Sequence, residues 1–405
     1  MISDNNKIFR SEATSPLLLR IYGLTFLFYS ANAIIQIVLP LHTQNKGMDN
    51  SEIGLMIGAY LFVSMLLRPW VGVVVDFLGS RKVIRIILFS HLGVLLLYSW
   101  SISEDFLIIR GLQGAVSAFF SLAVQQIVLN ELPERERVQG LSLYSLFGML
   151  PTVVWPIFAL YIWEYGGFAW FILSLGILGF LTLLAGYPLV YSKDEVNMVR
   201  QEISKIQTEA WYKKVLHTIV NRSFIASSMV MFTASAGFGA VTAFLTLYVK
   251  QIEIGHAGMY FAIQSGIMVM ARFIFRNKLP SDGKWHAKPL SLLLFSMSLG
   301  LTMTAIAPFF GYSISLYLGA AAVGLGMASL YPILGAYLSI TLGPDTRKIW
   351  MGLFISMSDF GVVIGSIGMG VIADWIGYSF VFALCAVMLL VVGVLTARCG
   401  KWLSS

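Results

Sequence analysis

Residues 52–82 read EIGLMIGAYLFVSMLLRPWVGVVVDFLGSRK, and this stretch identifies the class of fold. Residues 52–75 are mainly apolar, with Glu52 at the start and Arg68 in the interior. A helix of about 20 apolar residues crosses the hydrocarbon core of a membrane. The turn that follows carries Arg81 and Lys82, and such cations are enriched where a membrane helix emerges into the cytoplasm. The stretch therefore predicts a membrane-spanning helix followed by a cytoplasmic turn.

The whole chain has the composition that this segment suggests. Of its 405 residues, 58% are hydrophobic and 12% are charged, and the mean hydropathy is +0.80. Soluble domains carry about 25% charged residues, and a soluble fold with so few charges would expose large apolar patches. The composition excludes soluble enzymes and nucleic-acid-binding proteins, so we expect no catalytic site and no nucleic-acid partner. The predicted surroundings are a lipid bilayer.

Twelve apolar stretches have the length of a membrane-spanning helix. The short alternating segments of outer-membrane barrels are not seen in the sequence. We therefore predict an all-α membrane protein with twelve transmembrane helices, at residues 17–41, 52–75, 83–103, 106–129, 140–163, 168–191, 223–249, 257–275, 288–308, 312–341, 349–373 and 378–397.

The distribution of basic residues predicts the orientation of these helices. When the N-terminus is assigned to the cytoplasm, most of the 27 Lys and Arg residues lie on the cytoplasmic side. Only Lys46 and Lys250 then lie outside, which agrees with the positive-inside rule. Both termini are thus expected in the cytoplasm. Arg68, Arg110 and Arg272 are different, because they fall within predicted spans.

The longest polar stretch divides the predicted spans six and six. We interpret residues 1–191 and 223–405 as two helical bundles and residues 192–222 as a cytoplasmic linker. Apolar residues recur at helical spacing in the linker, which fits an amphipathic helix on the membrane surface or a solvated linker helix. A weak repeat also relates the two halves, because residues 132–137 before the fifth span are similar to residues 343–348 before the eleventh.

The turn after the second span resembles the loop motif of major facilitator transporters, with Gly72, Asp76, Gly79 and Arg81 at the motif positions and Phe77 where a cation is usual. The resemblance implies two pseudo-symmetric six-helix bundles that rock about a site near the membrane midplane. It also implies that these four motif residues form a latch that breaks when the transporter changes conformation. The alternative is a glycine-rich turn that carries cytoplasmic charges by chance.

The fourth span contains Arg110-Gly-Leu-Gln-Gly114, which resembles the R-x-x-Q-G motif of proton-coupled antiporters in the same superfamily. A membrane-embedded arginine needs a polar or hydrated partner. We expect Arg110 to lie near the proton pathway, or alternatively to reach the headgroup region from the outer end of its span. The fifth span has Trp155-Pro156 where drug antiporters have Gly-Pro, which weakens a multidrug assignment.

The intramembrane charges predict the central site. Arg68 and Arg272 occupy corresponding positions in the second and eighth spans, and two cations that face one cavity would repel unless an anion lay between them. Guanidinium groups pair well with carboxylates, so both are candidate substrate-binding residues. Asp359 lies well inside the eleventh span. A dry environment favours the protonated carboxyl, which makes Asp359 a candidate proton carrier or a structural partner of an arginine.

Several uncharged side chains complete the predicted site. Asn32 and Gln36 are four residues apart and share a helix face. We predict substrate contacts for Asn32, Gln36, Tyr60, Tyr144 and Gln264, and name Tyr29 and Tyr248 as further cavity groups. The alternative for each is an interhelical hydrogen bond or packing. His91 is interpreted as a core histidine whose hydrogen bonds are satisfied. Cys385 and Cys399 have the spacing of neither a disulfide framework nor a metal site.

A closer resemblance extends over nearly the whole chain. Several stretches are similar to the staphylopine exporters, which secrete opine-type metallophores from bacteria: residues 28–35, 67–70, 142–147, 280–286 and 352–361. The resemblance implies a bacterial plasma membrane protein that exports a small zwitterionic or anionic molecule. It also implies proton motive force as the energy source, no cofactor, no resident metal and a monomer. Two other interpretations stay open, a multidrug/proton antiporter for lipophilic compounds and a membrane receptor or scaffold.

Overall fold

The computed structural model describes residues 12–100, 105–133, 136–190, 221–275, 284–342 and 347–403, and α-helices dominate these ranges. A 3-10 turn at Glu12–Thr14 precedes the first helix. The helices are α1 (Pro16–Asn45), α2 (Asn50–Leu78), α3 (Ser80–Leu97), α4 (Phe106–Glu131), α5 (Arg137–Val190), α6 (Arg222–Ile252), α7 (Ala257–Phe275), α8 (Ala287–Ala305), α9 (Ala307–Phe310), α10 (Ser313–Thr341), α11 (Arg347–Ile376) and α12 (Tyr378–Leu403).

Local sequence explains where the second helix begins and ends. Asp49 and Glu52 form a capping box, in which the Asp49 carboxylate accepts from the Glu52 backbone N–H and the Glu52 carboxylate accepts from the Asp49 backbone N–H. Gly79 ends α2 with φ of 82°, a conformation that side-chain-bearing residues rarely adopt. Residues 52–82 therefore form a long helix, a glycine turn and the start of α3, as the sequence predicts.

The number of twelve membrane-spanning helices stays a prediction. Nine helical segments among the described residues are long and apolar enough to cross a membrane. The predicted fifth and sixth spans both lie in α5, whose backbone is not helical at Gly167, with φ of 58° and ψ of −149°. Gly167 therefore divides α5 into two helical segments, which are counted as one of the nine. The helices α3 and α8 are not among the nine, and α3 begins with the charged residues Arg81, Lys82 and Arg85 in its first two turns.

The two halves of the chain pack mostly within themselves and meet along two seams. In the N-terminal half, α1 packs on α5, α2 on α4, and α3 on both α4 and α5. In the C-terminal half, α6 packs on α11 and α12, and α8 packs on α10 and α12. Between the halves, α2 packs on α11 and α5 packs on α7. Most buried apolar side chains from both halves form one large core, and Met268, Ala271 and Ala328 form a small second cluster.

Glycines allow α2 and α11 to approach closely. A Cβ atom on Gly54 would lie 2.2 Å from the Ser366 carbonyl oxygen, and one on Gly370 would lie 2.5 Å from the Asn50 carbonyl oxygen. Small residues are enriched where membrane helices pack closely, because van der Waals contact between backbones drives their association. The seam between the two halves therefore depends on the absence of side chains at these positions.

Replacing Gly54 by alanine is expected to destabilise the protein. The added methyl group overpacks the seam, and overpacking typically costs about 1–3 kcal/mol. The matched control is Gly23→Ala in α1, where an added Cβ meets no atom within 4 Å. This control should be neutral or stabilising, because alanine is the better helix former. Thermal unfolding of the purified protein in detergent measures both variants, and an equal melting temperature for the two would contradict the close approach.

Polar contacts also join the two halves at the end of the bundle where α1 ends and α2 begins, which we call the closed end. The backbone N–H groups of Asn50 and Ser51 donate to the two Asp374 carboxylate oxygens at 2.8 and 2.9 Å. Lys250 Nζ donates to Asn45 Oδ1 at 2.9 Å, and the Tyr378 hydroxyl donates to Asn50 Oδ1. A carboxylate at a helix N-terminus also interacts favourably with the helix dipole. The α2 N-terminus and the Asp374 carboxylate thus hold the seam shut.

Some predicted features lie outside the described residues. They include residues 192–220 of the linker, residues 280–283 of the stretch similar to the staphylopine exporters and residues 343–346 of the repeat. The side chain of Asp76 is also outside them. Of the other latch residues, Gly72 lies in α2, Gly79 makes the turn, and Arg81 pairs with Glu131 of α4 at 2.9 Å. The proposed latch role of these four residues stays a prediction.

Candidate functional site

An ion pair joins the two halves inside the bundle. Arg68 of α2 and Asp359 of α11 approach to 2.7 Å, between Nη1 and Oδ2. Arg68 lies about 27 Å along the axis of α2 from Asn50, at 1.5 Å per residue. The side chains are 34% and 15% exposed, respectively. Intramembrane charges face the bundle interior or a water-filled cavity, so this exposure marks a vestibule between the halves.

Arg272 has different partners from Arg68. Its Nε donates to the Ala328 carbonyl of α10 at 3.3 Å, and its Nη1 donates to Met149 Sδ of α5 at 2.9 Å. Within the described ranges, no carboxylate pairs with Arg272. The charge of Arg68 is therefore balanced by Asp359, whereas the charge of Arg272 is not balanced by a protein acid. The sequence predicted two equivalent arginines, and the tertiary contacts make them unequal.

Tyr331 of α10 lies near these charged groups. It lies within electrostatic range of Arg68, Arg272 and Asp359, so all three surround one region. Its ring stacks on Phe354 at a centroid distance of 5.6 Å. Tyr331 is not among the residues predicted from the sequence. The sequence signal that could have indicated Tyr331 is the proline that follows it, Pro332, inside a predicted span. A proline within a helix leaves a backbone carbonyl without its helical donor, and such a carbonyl can take part in a polar site.

A cavity lies between the halves on the side of the closed end. It has a volume of about 380 Å³, including space open to solvent. Gln36 of α1 and Gln264 of α7 line it from opposite halves, and their substrate contacts stay a prediction. Gln264 is only 2% exposed, and its Nε2 has no hydrogen-bond partner in the described part of the chain. Other lining residues were not predicted: Ala33, Ile37, Thr152, Pro156, Phe238, Thr242, Phe261 and Ser265.

Arg110 is fully buried and is held by neutral groups. Its Nη1 donates to Asn32 Oδ1 at 2.9 Å and to Gln113 Oε1 at 3.0 Å. The guanidinium lies over the Tyr60 ring, 4.8 Å from the centroid, as a cation–π contact. Complete burial is incompatible with the alternative that Arg110 reaches the headgroup region. Asn32 accepts this hydrogen bond from Arg110, and its predicted contact with substrate stays a prediction.

Three of the predicted tyrosines lie together in the N-terminal half. The Tyr60 hydroxyl donates to Ser117 Oγ at 2.6 Å, and the Tyr144 hydroxyl donates to the Ser121 carbonyl at 3.4 Å. Tyr29, Tyr60 and Tyr144 all lie within electrostatic range of Arg68, on the N-terminal side of the vestibule.

Tyr248 and His91 lie in packed regions. The Tyr248 hydroxyl donates to the Thr304 carbonyl at 2.9 Å and is buried between helices of the C-terminal half. Tyr248 thus shows the alternative that the sequence left open, an interhelical hydrogen bond, rather than a position in the cavity. His91 is buried against Phe28 at a ring distance of 4.1 Å, as a core histidine. Among the described residues neither of its ring nitrogens has a hydrogen-bond partner, so the expectation that this histidine is satisfied is wrong.

Comparisons with known proteins agree with this architecture. The family model of the Major Facilitator Superfamily matches residues 21–295 and 284–400. The staphylopine export protein of Staphylococcus aureus (strain Mu50) is 33% identical over 378 residues, which cover 93% of this chain and 94% of that protein.

Solved structures show the same fold at low sequence identity. The nucleoside transporter NupG superposes with a TM-score of 0.77 at 15% identity, over 94% of this chain and 99% of that one. A bacterial homologue of the human lysosomal transporter Spinster has a TM-score of 0.71 at 12% identity, over 98% of both chains. The chain therefore belongs to the major facilitator superfamily, close to the staphylopine exporters, and is a multi-pass transporter of the bacterial cell membrane rather than an enzyme.

Proposed function

We propose that this chain exports an opine-type, staphylopine-like metallophore across the bacterial plasma membrane in exchange for protons. The observation that carries the proposal is the vestibule, where the Arg68–Asp359 pair spans the two halves and Arg272 keeps a charge that no described protein acid balances. The similarity to a staphylopine export protein supports the same substrate class.

The substrate chemistry follows from these groups. An opine-type metallophore is a small zwitterion or anion with several carboxylates and amines. Arg272 and Arg68 bind carboxylates, because guanidinium groups form charge-assisted hydrogen bonds with them. Gln36 and Gln264 offer amide donors and acceptors from opposite sides of the cavity. Tyr60, Tyr144 and Asn32, which contact or adjoin Arg110 and Arg68, shape the N-terminal wall of the site.

The transport cycle is alternating access. The bundles 1–191 and 223–405 rock about the midplane site, with linker 192–222 and both termini in the cytoplasm. The closed end then faces outward, and the contacts of Asp374 with α2 break when substrate is released. The segment with Gly72, Asp76, Gly79 and Arg81 acts as the latch on the cytoplasmic side. The protein works as a monomer without a cofactor.

Proton coupling is assigned to Asp359. The ionised carboxyl of Asp359 binds an amine of the substrate, and a proton that enters from outside competes with that amine. Each proton taken up by Asp359 is thereby exchanged for substrate that leaves the site. Arg110, fully buried behind Tyr60, contributes a fixed positive charge near this pathway. Each net charge moved through the membrane potential is worth about 2.3 kcal/mol per 100 mV, so the proton motive force is a sufficient energy source.

Metabolite export tests the proposal directly. Cells with and without this gene are grown under zinc or iron starvation, and the medium and cytosol are compared by mass spectrometry. We expect an opine-type chelator to disappear from the medium of the deletion strain and to accumulate in its cytosol. An unchanged chelator pool together with increased accumulation of lipophilic dyes would contradict the proposal and favour a multidrug antiporter. No change in either would favour a receptor or scaffold.

A further inference from the structure

A proline in α10 leaves a backbone carbonyl free to accept a hydrogen bond from Arg272. Pro332 lies inside the helix and has no N–H, so the carbonyl of Ala328, one turn earlier, receives no helical hydrogen bond. Ala328 is fully buried, and a buried carbonyl without a donor is unfavourable. Arg272 Nε of α7 supplies that donor at 3.3 Å. The proline therefore creates the acceptor that holds the arginine.

Both partners of Arg272 orient the guanidinium without neutralising it. The carbonyl of Ala328 accepts from Nε, and the thioether of Met149 accepts from Nη1 as a weak acceptor. A guanidinium has five N–H donors, so donors remain for another ligand. Since neither partner is an acid, the full positive charge is available to an anion.

Tyr331, the residue before the proline, adds a second donor to the same region. Its ring is held by stacking on Phe354 and lies within electrostatic range of Arg68, Arg272 and Asp359. Its hydroxyl has no hydrogen-bond partner in the part of the chain that the structure describes. A hydroxyl near a guanidinium with unused donors is suited to a carboxylate, which accepts several hydrogen bonds at once.

We propose that Tyr331 and Pro332 build the carboxylate subsite around Arg272. Pro332 is a positioning residue, because the carbonyl it releases at Ala328 fixes the guanidinium. Tyr331 contacts the bound carboxylate through its hydroxyl. This assignment rests on the proposed export of a zwitterionic opine and names the groups that hold one of its carboxylates.

The test measures transport of isotope-labelled staphylopine into inverted membrane vesicles. Pro332→Ala restores a backbone N–H, which competes for the Ala328 carbonyl and releases Arg272. We expect its KM to rise about tenfold with little change in maximal rate, the effect of losing one hydrogen bond that positions a charge. Tyr331→Phe keeps the stacking and should raise KM to a similar degree. The control is Pro16→Ala, an exposed proline at the first position of α1, where the missing N–H releases no helical carbonyl, and its expected change is below about twofold.

A double-mutant cycle separates positioning from a general effect on the helix. Because Pro332 acts through Arg272, adding Pro332→Ala to Arg272→Ala should change KM no further. Additive effects, or an unchanged KM in Pro332→Ala when Arg272→Ala raises KM, would overturn the assignment and leave the proposed function intact. If Arg272→Ala itself leaves KM unchanged, the subsite is wrong. If the wild-type protein does not transport staphylopine while an amine dye is transported, the proposed function fails instead.

Discussion

Replacing Arg68 by alanine is expected to reduce opine export at least about 100-fold while the protein remains folded. The variant removes a guanidinium that pairs with Asp359 at 2.7 Å and, in the transport cycle, with a substrate carboxylate. Hydrogen bonds to charged groups contribute about 1.5–3 kcal/mol each, and every 1.4 kcal/mol corresponds to a factor of ten. The loss in stability should be smaller than the 3–5 kcal/mol for a fully buried pair, because Arg68 is one-third exposed and water screens the remaining charge.

Two controls distinguish a transport defect from misfolding. Arg20→Ala removes an exposed arginine from α1 and should leave export unchanged. The charge-reversed double variant, Arg68→Asp with Asp359→Arg, restores an ion pair and should recover much of the melting temperature without recovering export. Export is measured in cells by mass spectrometry, and melting is measured on purified protein. If the Arg68→Ala variant exported the opine at the wild-type rate, Arg68 would not be a substrate anchor. If the variant kept dye efflux without opine export, the multidrug interpretation would be favoured.

Replacing Asp359 by asparagine is expected to separate binding from proton coupling. The amide has nearly the same shape as the carboxyl, but it carries no charge and exchanges no proton in the physiological range. Substrate can still bind to Arg68 and Arg272, so exchange of labelled for unlabelled substrate should continue. Accumulation against a gradient should be lost, because no proton would be taken up by this group during the cycle.

The measurement uses inverted vesicles energised by an imposed pH gradient. Counterflow, which needs no gradient, is measured on the same preparation. Asp374→Asn is the matched control, since Asp374 lies on the same helix at the closed end and its amide oxygen can still accept from the α2 N-terminus. That variant should keep gradient-driven transport. If Asp359→Asn concentrates substrate as well as the wild type, Asp359 is a structural partner of Arg68 and another group couples the proton.

Many residues of the candidate site could be predicted from the sequence, because charged side chains are rare inside membrane-spanning helices. Arg68, Arg110, Arg272 and Asp359 stand out, since charges inside apolar spans require a partner or water. Gln36 and Gln264 were also predicted and do line the cavity. Thr152, Thr242 and Ser265 were missed. Hydroxyl residues are frequent in membrane helices, where they often bond to the preceding turn, as Thr242 does to the Phe238 carbonyl.

Apolar length and charge placement were sufficient to establish a helical membrane protein, because both follow from the thickness and dielectric of the bilayer. The motif around Gly72 and Gly79 was sufficient to suggest the superfamily. Pairing was decided only by tertiary structure. Which arginine meets Asp359, and which receives the carbonyl released by Pro332, depends on how α2, α7, α10 and α11 pack. Contacts between residues nearly 300 positions apart are determined by side-chain packing across a seam, and this packing cannot be predicted from the local sequence.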